Sequence, residues 1–244
     1  RDDVESRGLG DVYKRQSRSL AAVTSTGSLI FLLVGFFSGT AMGAGVVISR
    51  FFGAKDYNNI KKAVHTDIAF GILCGILMTV VGVIFAPQIL SLMGTPDDVF
   101  VESVRYIRIY FLGSLAVIMY NVCMGILQAV GDSRHPLYYL IISSVVNIIL
   151  DLLFIGIFRF GVGSAALATI ISQFLSVALC MRQLIKTDDV YRVCIKDIAF
   201  DKGILVQILN IGLPSGLQNS IISIANVVVQ ANINAVSYTH LRAH

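Results

Sequence analysis

The chain has 244 residues, 55% of them hydrophobic and 14% charged, with a formal net charge of +4. Its mean hydropathy of +0.77 excludes an ordinary soluble domain of this length, and so small a net charge gives no reason to expect a nucleic-acid partner. Cys74, Cys123, Cys180 and Cys194 stand alone, with neither zinc spacing nor a CxxC pair, and three of them fall in apolar runs that suit a small buried hydrophobe.

The two ends read differently from the rest. Ser6 to Gln16 back-translates to a DNA strand whose reverse complement encodes Val236 to His244. Opposite strands of one DNA segment are not expected at the two ends of a natural chain, and the pattern resembles a sequencing adapter. Residues 1–16 and 236–244 are therefore expected to be construction scars, set aside from fold reasoning, with the start of the gene lost. Without them 14 basic and 11 acidic side chains remain.

In chain order, long uncharged runs occupy 19–49, 68–96, 109–131, 135–158 (interrupted by Asp151), 160–181 and 203–235. A helix needs roughly 20 residues to cross the hydrocarbon core, and none of these runs has the charged face of a soluble amphipathic helix. The expected fold is an all-α polytopic membrane protein with six transmembrane helices. Small residues recur every fourth position, at Gly35, Gly39 and Gly43 on the first span and at Gly71, Gly75 and Thr79 on the second. They predict either close helix packing or a flexing element.

The connections carry charge unevenly. Arg50, Lys55, Lys61, Lys62, Arg134, Arg182, Lys186, Arg192, Lys196 and Lys202 fall on one side, against Arg18, Arg105, Arg108 and Arg159 on the other. The first side is expected to be cytoplasmic, which implies an earlier span ahead of the first visible one. Residues 187–211 read as a cytoplasmic connector. Asp201 is placed to cap a short helix carrying Ile204, Leu205, Ile208 and Leu209, with Gly212-Leu213-Pro214 ending it. Such a segment suits either a joint between two halves of a transporter or an ordinary linker.

Asp151 is the one acidic side chain within these runs. It sits roughly 5 Å from the middle of its span, with Asn147 and Ser143 one and two turns earlier on the same face. An ionised carboxylate there costs at least ~2.5 kcal/mol, so three readings compete: part of a small cation site, a proton carrier, or a neutral group fixing helix packing. The next span carries Thr169, Ser172, Gln173 and Ser176 in one stripe, and Asn121 and Gln128 lie seven apart on the span before. On the last span Ser215, Asn219, Ser223, Asn226 and Gln230 step by helical spacing, a pattern that faces either a wet cavity or partner helices.

An enzyme is not expected. HExxH, GxSxG and Walker motifs are absent from the sequence, and His65 and His135 read as solvated residues at membrane edges.

Gly39-Thr-Ala-Met-Gly-Ala-Gly-Val-Val-Ile-Ser-Arg-Phe-Phe-Gly-Ala-Lys55 resembles the second span and following loop of multidrug and toxic compound extrusion (MATE) transporters. So do Tyr106-Ile-Arg-Ile-Tyr110, Gln128-Ala-Val-Gly-Asp-Ser-Arg134, Gly163-Ser-Ala-Ala-Leu-Ala-Thr169 and Ile211-Gly-Leu-Pro-Ser-Gly-Leu-Gln218, in order, between about Leu20 and Asn234. The resemblance implies spans two to seven of a two-lobed, twelve-helix protein. Residues 17–186 would be most of the N-terminal lobe, 187–211 the connector, and 212–235 the first helix of the C-terminal lobe. It implies a fragment of a Na⁺- or H⁺-coupled antiporter with no other cofactor, working by alternating access on a small amphipathic, often cationic substrate. The whole protein would sit, as a monomer, in a prokaryotic plasma membrane. Asn147, Asp151 and Thr169 match one branch's cation site. Asn219, Ser223, Asn226, Gln230 and Asn121 would line the substrate cavity. A further acidic ligand would belong to the missing first span, and 203–235 lacks the glutamate of other branches. A lipid-linked saccharide flippase of related architecture is an alternative, disfavoured by the lack of cationic side chains within the spans; a non-transporting membrane scaffold is another.

Overall fold

The computed structural model describes residues 35–37, 39–92, 97–157 and 163–241, and the side chains among these except 92, 97–99, 156–157, 163, 224 and 226–241. Every regular element among the described residues is helical. The opening helix α1 covers 39–53. It is followed by α2 (Tyr57–Leu92), α3 (Asp97–Leu112), α4 (Ser114–Ala129), α5 (Arg134–Asp151), a π-helical turn (Leu152–Ile157), α6 (Gly163–Lys186), a 3-10 turn (Ile195–Asp197) and α7 (Lys202–Leu241). Helices are the natural outcome for apolar runs in lipid, where each backbone N–H and C=O must be satisfied within its own segment.

Among the described residues, three helices are long and apolar enough to cross a membrane: Tyr57–Ser91, Arg134–Ile155 and Ser164–Lys186. Phe100–Leu112 and Ser114–Ala129, bent by 41° at their junction, are together long and apolar enough for a fourth. The third predicted span thus extends well upstream of 109 and is broken in its middle. The break falls at Gly113-Ser114, a pair that often kinks helices, where a Cβ on Gly113 would lie 2.4 Å from Ile170 Cγ1 of α6. Of the remaining two predicted spans, the first lies mostly outside the described residues and the last falls on α7.

Helix α2 departs from its predicted bounds. It starts at Tyr57 rather than 68, so Lys61, Lys62, His65 and Asp67 are helical. Likewise, Gly212-Leu213-Pro214 does not end a helix. Asp201 caps α7 as expected by accepting from the backbone N–H of Ile204 at 3.1 Å, but the helix runs on through Pro214.

Packing joins α2 to α3 and α4, α6 to α3, α4 and α5, and α7 to α2. A core cluster near the connector includes Ile60, Val64, Ile68, Cys123, Ile126, Leu184, Ile204 and Ile208. A smaller one at the other end centres on Ala86, Leu90, Ile107 and Phe111. Leu73, Ile76, Leu77, Val80 and Ile84 of α2 and Ile141, Val145, Ile148 and Ile149 of α5 point outward. Lipid would cover such faces, so close fit and interhelical polar contacts, more than water exclusion, hold the helices together.

Glycine sets that fit. A Cβ on Gly71 would lie 2.8 Å from Val122 Cγ2, and one on Gly75 would lie 2.5 Å from Leu115 Cδ1, so α2 and α4 meet at this seam. On α1, a Cβ at Gly39 would lie 2.5 Å from the Ser215 carbonyl oxygen, and one at Gly43 would lie 2.3 Å from Gly212 Cα. The four-residue glycine repeat is a helix–helix contact between α1 and α7.

The connector is clasped to the first turns of α2. Lys61 pairs with Asp197 at 2.6 Å and Lys62 with Asp201 at 3.6 Å. The Thr66 hydroxyl donates to the Ala199 carbonyl at 3.4 Å and accepts from the Asp201 N–H at 3.1 Å. His65, expected to be solvated, is 3% exposed. Its Nε2 accepts from the Cys194 N–H at 3.0 Å, which leaves Nδ1 to donate to the Lys61 carbonyl at 2.7 Å. His135 does lie at a helix start, half-exposed and 2.6 Å from Asp132. Asp197 is held below the usual carboxylate range by the Lys61 ammonium, and Asp201 by the Ile204 N–H it caps.

Candidate functional site

Asn147 and Asp151 occupy successive turns at the end of α5, immediately before the π-helical turn. Local π geometry widens the helix and recurs at functional sites. Here it follows directly on the carboxylate. Asp151 Oδ1 and Asn147 Nδ2 are shut off from solvent and have no hydrogen-bond partner. Buried polar atoms in that condition are rare, and each calls for an explanation. Ser143, one turn earlier, satisfies itself by donating to the Leu140 carbonyl at 3.1 Å.

Helix α6 packs beside α5 and presents the predicted stripe. The Thr169 hydroxyl donates to the Ala165 carbonyl at 3.0 Å. Its proton is spent along its own helix, and its lone pairs remain to accept or to ligate. Ser172 donates to the Thr169 carbonyl at 2.8 Å. Gln173 Oε1 and Ser176 Oγ are buried without partners. The α5–α6 pair thus carries four buried polar atoms without partners, Asn147 Nδ2, Asp151 Oδ1, Gln173 Oε1 and Ser176 Oγ, of which the three oxygens are able to accept or ligate. Tyr106 of α3 adds a phenol within electrostatic reach of Asp151. The sequence marked Tyr106 only as part of a family-like motif; its nearness to Asp151 is a tertiary fact.

The proposed cavity residues are placed variously. Asn121 is buried on α4 and donates to the Val117 carbonyl at 2.8 Å. Asn219 and Ser223 are half-buried on α7. Ser223 donates to the Asn219 carbonyl at 2.8 Å, and its Oγ lies 2.7 Å from where a Cβ on Gly35 would be. This part of the stripe runs alongside the opening helix. The side chains of Asn226 and Gln230 lie outside the described residues.

Asp151 is not the sole acidic group within the apolar helices. Asp67 on α2 is 1% exposed, and its Oδ2 has no partner. In the sequence it falls outside the apolar runs, because Lys61 and Lys62 give its segment the look of a loop. Helical spacing puts Asp67 on the face of Val64, Gly71 and Cys74, a signal available once the helix is known to start at Tyr57.

A family model described as MatE matches residues 12–153. The chain is 34% identical over 226 residues to a probable multidrug resistance protein of Bacillus subtilis, a match spanning 88% of this chain and 48% of that protein. It is 29% identical to a multidrug export protein of Staphylococcus aureus, spanning 89% and 48%. Among solved structures, an inward-facing multidrug resistance MATE family transporter superposes with a TM-score of 0.79 at 27% identity, spanning 85% of this chain and 48% of the other. The chain thus spans about half the length of the relatives it matches. With the family match covering more than half of its residues, the chain belongs to the MATE family of membrane transporters.

Proposed function

We propose that this chain is most of the first lobe, with the connector and the opening helix of the second lobe, of a cation-coupled multidrug efflux antiporter in a plasma membrane. Asp151 holds the driving cation, Na⁺ or H⁺. Asn147 and Thr169 supply neutral oxygens from the same helix and its neighbour. The observation that carries this reading is the pair of unpartnered buried atoms, Asn147 Nδ2 and Asp151 Oδ1, one turn apart beside the Thr169 helix. Rotating the Asn147 amide by half a turn puts its oxygen in place of its nitrogen at the buried, unpartnered position. The donor set then fits a small hard cation.

Coupling follows from differential occupancy. A cation that neutralises Asp151 removes the cost of a bare buried charge, and whichever of the outward- and inward-open states holds the ion better gains population. Substrate, a small amphipathic cation, would meet the cavity formed by Asn121, Asn219, Ser223, Asn226 and Gln230 together with the second lobe. The loops bearing Lys55, Arg134 and Lys186 face the cytoplasm in this reading.

Counter-ion-driven export of a cationic dye by the full-length protein tests it. Asp151→Asn should abolish coupled export while leaving the protein folded. Undiminished coupled export would remove Asp151 from the mechanism.

A further inference from the structure

Asp67 lies in a different setting from Asp151. Its helix face is seated on α4 through Gly71 and Gly75, whose lack of side chains brings α4 to within contact. Among the described residues, few titratable groups lie near it. From α4 comes the Cys123 thiol, fully buried and within electrostatic reach; from its own helix comes Cys74, also within reach. Cys180 of α6 lies beyond Cys123. On the connector side, Asp197 and Asp201 are engaged with Lys61 and Lys62 at the surface, and His65 is committed to Cys194 and Lys61. No cation among the described residues pairs with Asp67, and no metal-binding cluster forms there among them. Thiols and aliphatic carbons offer a hard metal ion nothing to replace its hydration. An ionised carboxylate so enclosed would be an uncompensated buried charge. A proton alone neutralises it without further ligands.

We propose that Asp67 is a proton-binding site separate from the α5–α6 site, carrying its proton while the connector is docked on α2 and giving it up on the connector side when the clasp opens. The link to the clasp is the adjacent residue. Thr66 holds both Ala199 and Asp201, so the connector is bound to the turn of α2 that carries Asp67, and its release would free that turn. The proposal does not depend on which ion Asp151 takes.

Infrared difference spectroscopy of the full-length protein in lipid nanodiscs at neutral pH reads this directly. Subtracting Asp67→Asn from wild type should reveal one protonated-carboxyl C=O band, and an Asp151→Asn protein should retain that band whatever happens to its transport. The band should shift slowly on transfer to deuterated buffer and about tenfold faster in Thr66→Ala, the scale expected for removing a two-bond neutral hydrogen-bonding group. Carboxylate bands in place of the C=O band would overturn the site. So would an Asp67→Asn protein that does not fold, because asparagine is the neutral isostere the pocket should accept. An exchange rate unmoved by Thr66→Ala would overturn the link to the connector.

Discussion

Replacing Gly43 by alanine measures how closely α1 and α7 are seated. In an open helix position alanine is favoured over glycine by about 1 kcal/mol, so the substitution would stabilise wherever nothing stands in the way. At Gly43 the new Cβ would lie 2.3 Å from Gly212 Cα and 2.4 Å from Gly212 N. Both are backbone atoms that cannot rotate aside. Reaching an ordinary carbon contact of about 3.5 Å requires the helix backbones to part by roughly 1 Å. The same displacement would loosen Gly39 against Ser215 and Gly216. Overpacking of this kind costs about 1–3 kcal/mol, enough to reverse the sign set by helix propensity. Gly53, on the same helix with nothing within 4 Å of a Cβ, is the matched control. Thermal unfolding of the full-length protein in detergent should show Gly43→Ala melting below wild type and Gly53→Ala melting at or above it. If the two variants melt together, α1 and α7 are not in contact at Gly43 and Gly212, and the seam is wrong.

Two other outcomes test the site and the clasp. Thr169→Val keeps the shape of the side chain and removes its oxygen. It should lower cation-dependent protection against thermal unfolding about tenfold in apparent affinity, the scale of one lost charge-assisted contact; unchanged affinity would exclude the hydroxyl as a ligand. At the connector, Asp197 and Asp201 are both held below the usual carboxylate range. Groups lowered in this way stabilise docking at pH values above about 4, the ordinary aspartate value, and lose that contribution as pH falls through the lowered one. The protection of amides 194–201 against hydrogen exchange, taken relative to an unstructured peptide at the same pH, should accordingly stay constant through neutrality and fall in acid, with a smaller acid response in Asp197→Asn.

Run length was the readable part of the fold, because in lipid an apolar stretch has few structures open to it besides a helix. What the sequence hid were features set by neighbours. Lys61 and Lys62 looked like a membrane-edge loop because charge usually marks one. They are helical, and connector residues about 140 positions later, Asp197 and Asp201, pair with them. The bend at Gly113 lay inside an unbroken apolar run, and only the Gly-Ser pair hinted at it. Gly212-Leu213-Pro214 carried the usual stop signals of a soluble helix. Stopping there within a bilayer would strand backbone groups, whereas continuing leaves them paired, and the helix continues. At the site, the spacing of Asn147 and Asp151 put them on one face, but the π-helical turn that follows them and the approach of Tyr106 come from packing that periodicity cannot express.

Asp151 and Asp67 are the same side chain in two apolar helices, and what separates their chemistry is the company each keeps. Around Asp151 stand an amide on the preceding turn, a helix bearing a hydroxyl, and a phenol within electrostatic reach. Those groups contribute lone pairs and dipoles, which under the proposed function would let a cation exchange its water for protein oxygens. Around Asp67 stand two thiols and a glycine-lined contact with α4, which contribute almost none. Under the proposed function the first environment would hold the coupling ion. The second can take only a proton and responds to whether water reaches it. A buried carboxylate in a transporter helix is therefore not by itself evidence of an ion site; the donors on the neighbouring turn and the neighbouring helix decide which ligand it holds.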